Sequence, residues 1–152
     1  MATITRFEEL DVWQTARTLT RTVYKLTRNA PFAKDGGLSQ QIQRASVSIM
    51  SNIAEGFDSR TQSSFIQFLG YARRSAAEVQ SQLYVALDLD YIHKADFDKA
   101  YDLANKCSRQ TFKFIQYLQS RPNTSRVQED ETTYHIAPEY LADASNADEQ
   151  SL

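Results

Sequence analysis

Leu38, Ile42, Ala45, Ile49 and Ile53 recur at spacings of three and four residues. That spacing draws one apolar face along an α-helix and is incompatible with a strand, whose side chains alternate every second residue. A second stripe, Arg44, Ser48, Asn52 and Glu55, runs beside the apolar seam rather than opposite it. Polar groups so placed meet a partner helix more readily than water, so the segment is expected to pack inside a helical bundle. Gly56 is expected to end the helix, because glycine takes the left-handed conformation without a Cβ penalty.

The same period appears three more times. Helix one is expected from near Glu9 to Thr27, with Leu10, Trp13, Ala16, Leu19, Val23 and Leu26 inward, acids first and bases last, as the helix dipole favours. Asn29 to Gly37, with Pro31 and the Gly36-Gly37 pair, reads as a long connection, after which helix two runs from about Ser39 to Phe57. Ser59 to Ser63 forms a short polar turn. Phe65, Phe68, Leu69, Ala72, Ala76, Val79, Leu83 and Leu87 then mark a long third helix ending near Asp90, in which Gly70 is read as a point of close packing.

Helix four is expected from Asp96, a cap or first-turn acid, to about Ser120, with Phe97, Tyr101, Ala104, Thr111, Ile115 and Leu118 inward. Phe112, Phe114 and Tyr117 widen its apolar face, and Cys107 reads as core filler. Short connections after helices two and three favour antiparallel neighbours. The expected fold is an all-α, up-down-up-down four-helix bundle over residues 1–121, with helices one and four adjacent. Tyr24, Phe57, Tyr71, Tyr84 and Tyr91 are left over, either as scattered surface aromatics or as a self-association interface.

Charge divides the chain at the end of helix four. Residues 1–121 hold 16 Lys and Arg against 12 Asp and Glu, whereas residues 122–152 hold one Arg and seven acids. The polar segment after Ser120 is expected to be a disordered acidic tail. Its exception is the island Tyr134 to Leu141, either a docking peptide or an incidental cluster.

Several chemistries lack their residues. A di-iron carboxylate centre needs acid-x-x-His pairs on two helices, but only Asp90 and His93 have that spacing, and His135 lies in the tail. A serine or cysteine nucleophile needs a positioned base, and His93 sits at a helix end. Gly36-Gly37 is not followed by a phosphate-loop lysine. No enzyme, metal or cofactor is therefore expected. The lack of an apolar run of membrane length and the single cysteine point to a cytoplasmic protein without a membrane partner.

Asn52 and Glu55 on helix two, with Ser75 and Glu78 on helix three, are read as hydrogen-bonding groups that fix helix register, neutralised by Arg44, Arg73 or Arg74. The remaining cations form stripes. Arg17, Arg21 and Arg28 share one side of helix one with Lys25 beside them, while Lys99, Lys106 and Lys113 repeat at heptad spacing on helix four with Arg109 between them. Together with Arg73 and Arg74 these are the candidate nucleic-acid contacts, either a phosphate-binding face or the ordinary charged side of solvated helices. Sequence-specific base readout is not expected, since no groove-reading signature is present.

Four blocks resemble a known family. They are Phe7-Glu8-Glu9-Leu10-Asp11-Val12-Trp13-Gln14-Thr15-Ala16, Pro31 followed by Gly37-Leu38-Ser39-Gln40-Gln41, Asn52-Ile53-Ala54-Glu55-Gly56, and Phe65 through Glu78, where Arg74 stands at a position usually glycine. Their order resembles the bacterial four-helix bundle proteins that include the intervening-sequence protein of large-subunit ribosomal RNA and the accessory variability determinant of diversity-generating retroelements. The resemblance implies a ring-like homo-oligomer, a pentamer in the retroelement branch, that binds RNA or an RNA-DNA hybrid and partners a reverse transcriptase. The alternatives are an intervening-sequence-encoded role or a protein-interaction scaffold that does not bind nucleic acid.

Overall fold

The computed structural model describes residues 2–122 and 134–136. Four helices, α1 (Asp11–Thr27), α2 (Gly36–Asp58), α3 (Gln62–Asp88) and α4 (Lys94–Ser120), pack as sequential neighbours, and α1 also packs on α4 to close the bundle. The up-down-up-down architecture follows from the tight turns between α2, α3 and α4. The expected long connection is shorter than its composition suggests, because Gly36 and Gly37 form the first turn of α2. N–H groups in a first turn have no intrahelical partner in any case. The Asp35 side chain caps this end by accepting from the Leu38 N–H at 3.0 Å, while its second oxygen accepts from the Tyr91 hydroxyl at 3.0 Å. Tyr91, one of the left-over aromatics, thus ties the α3–α4 turn to the start of α2, and this hydrogen bond raises its pKa.

The two inter-helix turns use left-handed backbone without glycine, at Arg60 (φ 62°) and Asp90 (φ 58°). After α3 the Tyr91 N–H reaches the Ala86 carbonyl at 2.8 Å and the Asp90 N–H reaches Leu87 at 3.0 Å, the pairing of a Schellman closure. Before α3 the Thr61 hydroxyl accepts from the Ser64 N–H at 3.2 Å. Asp96 is a first-turn acid of α4, and His93 is its N-cap residue.

The apolar stripes converge on one core, in which Ala16, Leu19, Val23, Ile49, Ile53, Phe65, Leu69, Ala72, Val79, Leu83, Ala104 and Cys107 are fully buried. Trp13 and Leu26 are only half-buried, and on α4 the inward face turns toward Phe114 and Tyr117, leaving Tyr101 and Ile115 half-buried. Phe57 is no surface aromatic. It packs edge-on against Phe65 (centroids 6.2 Å), which meets Phe114 at 5.0 Å.

Gly56 does not stop α2. It lies inside the helix with ordinary backbone, and a β-carbon there would fall 2.7 Å from Phe65 Cδ2 and 2.9 Å from Phe68 Cβ. Its missing side chain lets α3 approach. Gly70 is the opposite case, since a β-carbon there meets nothing within 4 Å and no close packing depends on it.

Within the acidic tail, Tyr134–Ile136 forms strand β2, antiparallel to strand β1 (Ala2–Ile4), with Ala2 opposite Ile136 and Ile4 opposite Tyr134. Ile136 is fully buried and Ile4 nearly so. The start of the tail island therefore docks on the body. The rest of the tail lies outside the described residues.

Gly56→Ala should destabilise the fold by about 1–3 kcal/mol through overpacking against Phe65 and Phe68. Gly70→Ala should be neutral or stabilising by up to about 1 kcal/mol from helix propensity alone. Urea denaturation of both variants checks the pair, and equal effects would contradict this assignment of Gly56. Burial pushes the Cys107 thiol up to about 12. It should therefore be inert to a thiol reagent at pH 8 in the native state and react on unfolding. By linkage, its contribution to stability is complete below the unfolded thiol pKa, near 8.5, and declines as pH rises from there toward 12.

Candidate nucleic-acid interface

From Val12 to Arg28 the chain contains four cations and no acid. Arg17, Arg21, Lys25 and Arg28 are all exposed, and no carboxylate pairs with any of them among the described residues. Their helix buries Val12, Ala16, Leu19 and Val23, so the cations project from the side away from the core. Arg17 lies over the Trp13 ring at 5.8 Å, a contact that leaves its charge available.

The α4 cations have a different setting. Lys99 is exposed, whereas Lys106, Arg109 and Lys113 are half-buried. Lys106 lines a groove between α1 and α4 with Asp11, Gln14, Thr15, Thr18, Leu103 and Gln110, enclosing about 370 Å³. Because Lys99 and Lys113 stand one heptad to either side of Lys106, the α4 stripe follows the flank facing α1. The α1 cations stand on the outer face of their helix, away from the core, and of the candidate cations it is Lys106 that lines the groove. Arg73 and Arg74 lie elsewhere, on α3. The Arg73 guanidinium sits 4.8 Å from the Phe112 ring and donates to Ser108 Oγ at 3.3 Å, and Arg74 lies 5.6 Å from the Tyr71 ring. Both are exposed, but they belong to the α3–α4 side of the bundle. The exposure of Arg74 means that no close helix approach is required where it replaces glycine.

The expected register network is only partly assembled. Ser75 Oγ donates to Ser48 Oγ at 2.9 Å, and the Asn52 amide donates to that same oxygen at 3.0 Å and to the Ser48 carbonyl at 2.8 Å. Arg44, Glu55 and Glu78 do not join it, being exposed on their helices. Their positions lie one step farther around the helix than the seam, where water solvates the charge and no buried partner is needed. Glu55 instead borders an open groove with Glu8, Asp58, Phe7 and Phe57. The hydroxyl of Ser48 centres the polar contact.

Other seams carry comparable locks. Thr20 Oγ1 donates to the Ser46 carbonyl at 3.1 Å, Gln43 Nε2 donates to Thr27 Oγ1 at 2.8 Å, and the Gln62 amide donates to the Leu118 carbonyl. Sequence reasoning missed Thr15 and Gln110, polar residues that are more than nine-tenths buried beside the α1–α4 groove. Their signal was positional, since both fall on the inward stripes of their helices. Among the described residues no group of three or more His, Cys, Asp or Glu side chains is placed to hold a metal ion, and no helix is long and apolar enough to cross a membrane.

The four-helix bundle defines the class of the protein. The family described as 23S rRNA-intervening sequence protein matches residues 8–113, and the chain belongs to that family. Among solved structures it is similar to a protein of unknown function from the S23 ribosomal protein family of Bacteroides thetaiotaomicron VPI-5482. The likeness is 22% in sequence with a TM-score of 0.64, covering 69% of this chain and 98% of the other. At that identity the likeness concerns the fold alone. A search of curated proteins finds no significant relative.

Proposed function

We propose that the protein is a non-enzymatic, oligomeric scaffold that binds RNA or an RNA-DNA hybrid through phosphates along the α1–α4 seam. The observation that carries this reading is the exposed α1 stripe of Arg17, Arg21, Lys25 and Arg28, four cations without a carboxylate partner among the described residues. Unpaired surface cations hold a counterion atmosphere that a nucleic acid displaces, which supplies affinity without sequence readout. Membership of a family named for an rRNA intervening sequence is in keeping with an RNA ligand. Self-association is supported by Tyr71, Tyr84, Val85, Leu89 and Phe112, large apolar side chains exposed on α3, its C-terminal turn and α4. A closed ring, pentameric in this reading, repeats one modest cationic face into a continuous field. Within this reading the finer role is that of an accessory subunit to a reverse transcriptase, the bundle supporting DNA synthesis without contributing catalytic groups.

Titrating the protein into a fluorescent structured RNA at several salt concentrations, with mass measured by light scattering, tests the reading. The logarithm of affinity should fall linearly with the logarithm of salt, with a slope of several units. Combined Arg17→Glu, Arg21→Glu and Lys113→Glu substitution should abolish most of the binding without altering the helical signal. Binding that is absent at low salt, or indifferent to charge reversal, would refute the proposal and favour a protein-only scaffold. Glu129→Gln, Asp130→Asn and Glu131→Gln together should strengthen binding if the acidic run competes with phosphates, and unlike truncation they leave β2 in place.

A further inference from the structure

We infer that the outer face of α3 pairs with the same face of a second copy of the chain, antiparallel about a two-fold axis at Ser81. The inference rests on the self-association in the reading above and gives one contact a geometry. A ring closes through unlike patches, whereas this contact joins like to like and so pairs one ring with another.

The core side of α3 runs through Leu69, Ala72, Val79 and Leu83, all fully buried. A helix with one such side ordinarily turns a charged side to water, but Tyr71, Tyr84, Val85 and Leu89, on α3 and its C-terminal turn, are between 38% and 51% exposed. They are four of the seven large apolar side chains exposed among the described residues, so the bundle concentrates its uncovered apolar surface on this one helix. Apolar groups on both sides make α3 the least amphipathic of the four helices, the pattern of a helix that is covered on both sides.

Charge and size select the occupant. Arg74, Ser81 and Asp88 recur at heptad spacing, all exposed, and at a helical step of 100° they fall within about 20° of one line opposite the core. Among the described residues no acid pairs with Arg74 and no cation with Asp88. An antiparallel copy centred on Ser81 brings Arg74 of each chain to Asp88 of the other, whereas a parallel copy in register sets each charge against its like. The antiparallel register also lays Ala77 under Tyr84 of the second copy, a ring already held by Phe97 at 4.9 Å and Tyr101 at 5.7 Å. On the flank toward α2 it sets Tyr71 against Leu89. Ala77 and Ser81, small and exposed, let the two backbones approach at the centre while the larger side chains close over the flanks. Of the remaining charges, Arg73 is committed to Phe112 and Ser108 on the α4 flank, and Glu78 is exposed on the α2 flank, one turn from Arg74 and level with Val85 of the second copy.

The test is disulfide cross-linking of the full-length protein carrying Ser81→Cys, read on a denaturing gel, with total mass from light scattering. A residue on a two-fold axis meets its own copy, and a disulfide forms where two α-carbons come within about 7 Å. Ser81→Cys should give a covalent dimer under mild oxidation. Ser63→Cys, exposed on the same side of α3 but about 27 Å along the helix, should not, and the buried Cys107 contributes nothing to either. Adding Arg74→Asp or Asp88→Arg to Ser81→Cys should slow cross-linking at least about ten-fold at low salt, because each sets like charges face to face, and the two together should restore it. A dimer that forms no faster through Ser81→Cys than through Ser63→Cys, in a protein whose mass is that of an oligomer, overturns the inference and leaves self-association standing. Cross-linking indifferent to the charge swaps overturns it as well. A protein that is monomeric at every concentration overturns self-association and the inference together, and leaves the face to a partner of another kind.

Discussion

The close approach of α2 and α3 at Gly56 is the constraint on which the rest of the bundle depends. With Phe65 Cδ2 at 2.7 Å and Phe68 Cβ at 2.9 Å from where a β-carbon would stand, the rings of α3 occupy the space that any other residue would fill. That contact seats Phe65 deeply enough to meet both Phe57 and Phe114, joining α2, α3 and α4 at one end of the core. Farther along the same pair of helices, Ser48 and Ser75 meet through their hydroxyls, a distance that only small side chains permit. Small residues set the spacing and large rings fill what remains, which is how a core reaches a single packing.

The helical period made the fold legible because burial on one face is what stabilises each helix. Three misreadings share a cause: a residue with two physical uses. Gly56 can close a helix or admit a neighbour, and local sequence does not say which, since the deciding atoms belong to Phe65 and Phe68 many positions later. Gly36 and Gly37 can break a helix or begin one, and the cap supplied by Asp35, held by Tyr91 from the far turn, decides for beginning. Glu55 and Glu78 sit one step off the seam, and a single helical step of 100° separates a half-buried carboxylate from a solvated one. The strand pairing of Tyr134–Ile136 with Ala2–Ile4 lay beyond periodicity altogether, because two three-residue segments at opposite ends of the chain carry no pattern until they meet.

The candidate site was legible as charge but not as shape. The run of cations without acids on α1 is visible in the sequence, and exposure follows once its apolar face is assigned. Which α4 cations join it depends on the flank that α4 turns toward α1. Heptad spacing keeps Lys99, Lys106 and Lys113 together but does not orient them; the burial of Phe114 and Tyr117 does. Arg73 and Arg74 separate from the others for the same reason, being carried to a different seam by the helix that holds Phe65 and Leu69 inward.

Side-chain hydrogen bonds join α1 to α2 at Thr20 and Gln43, α2 to α3 at Ser48, and α3 to α4 at Gln62 and Arg73. Between α1 and α4 the bundle opens into a groove, beside which the amide oxygen of Gln110 is buried without a hydrogen-bond partner among the described residues. A sequence optimised for stability alone would fill that place with leucine, since an unsatisfied buried acceptor is costlier than an apolar side chain of similar size.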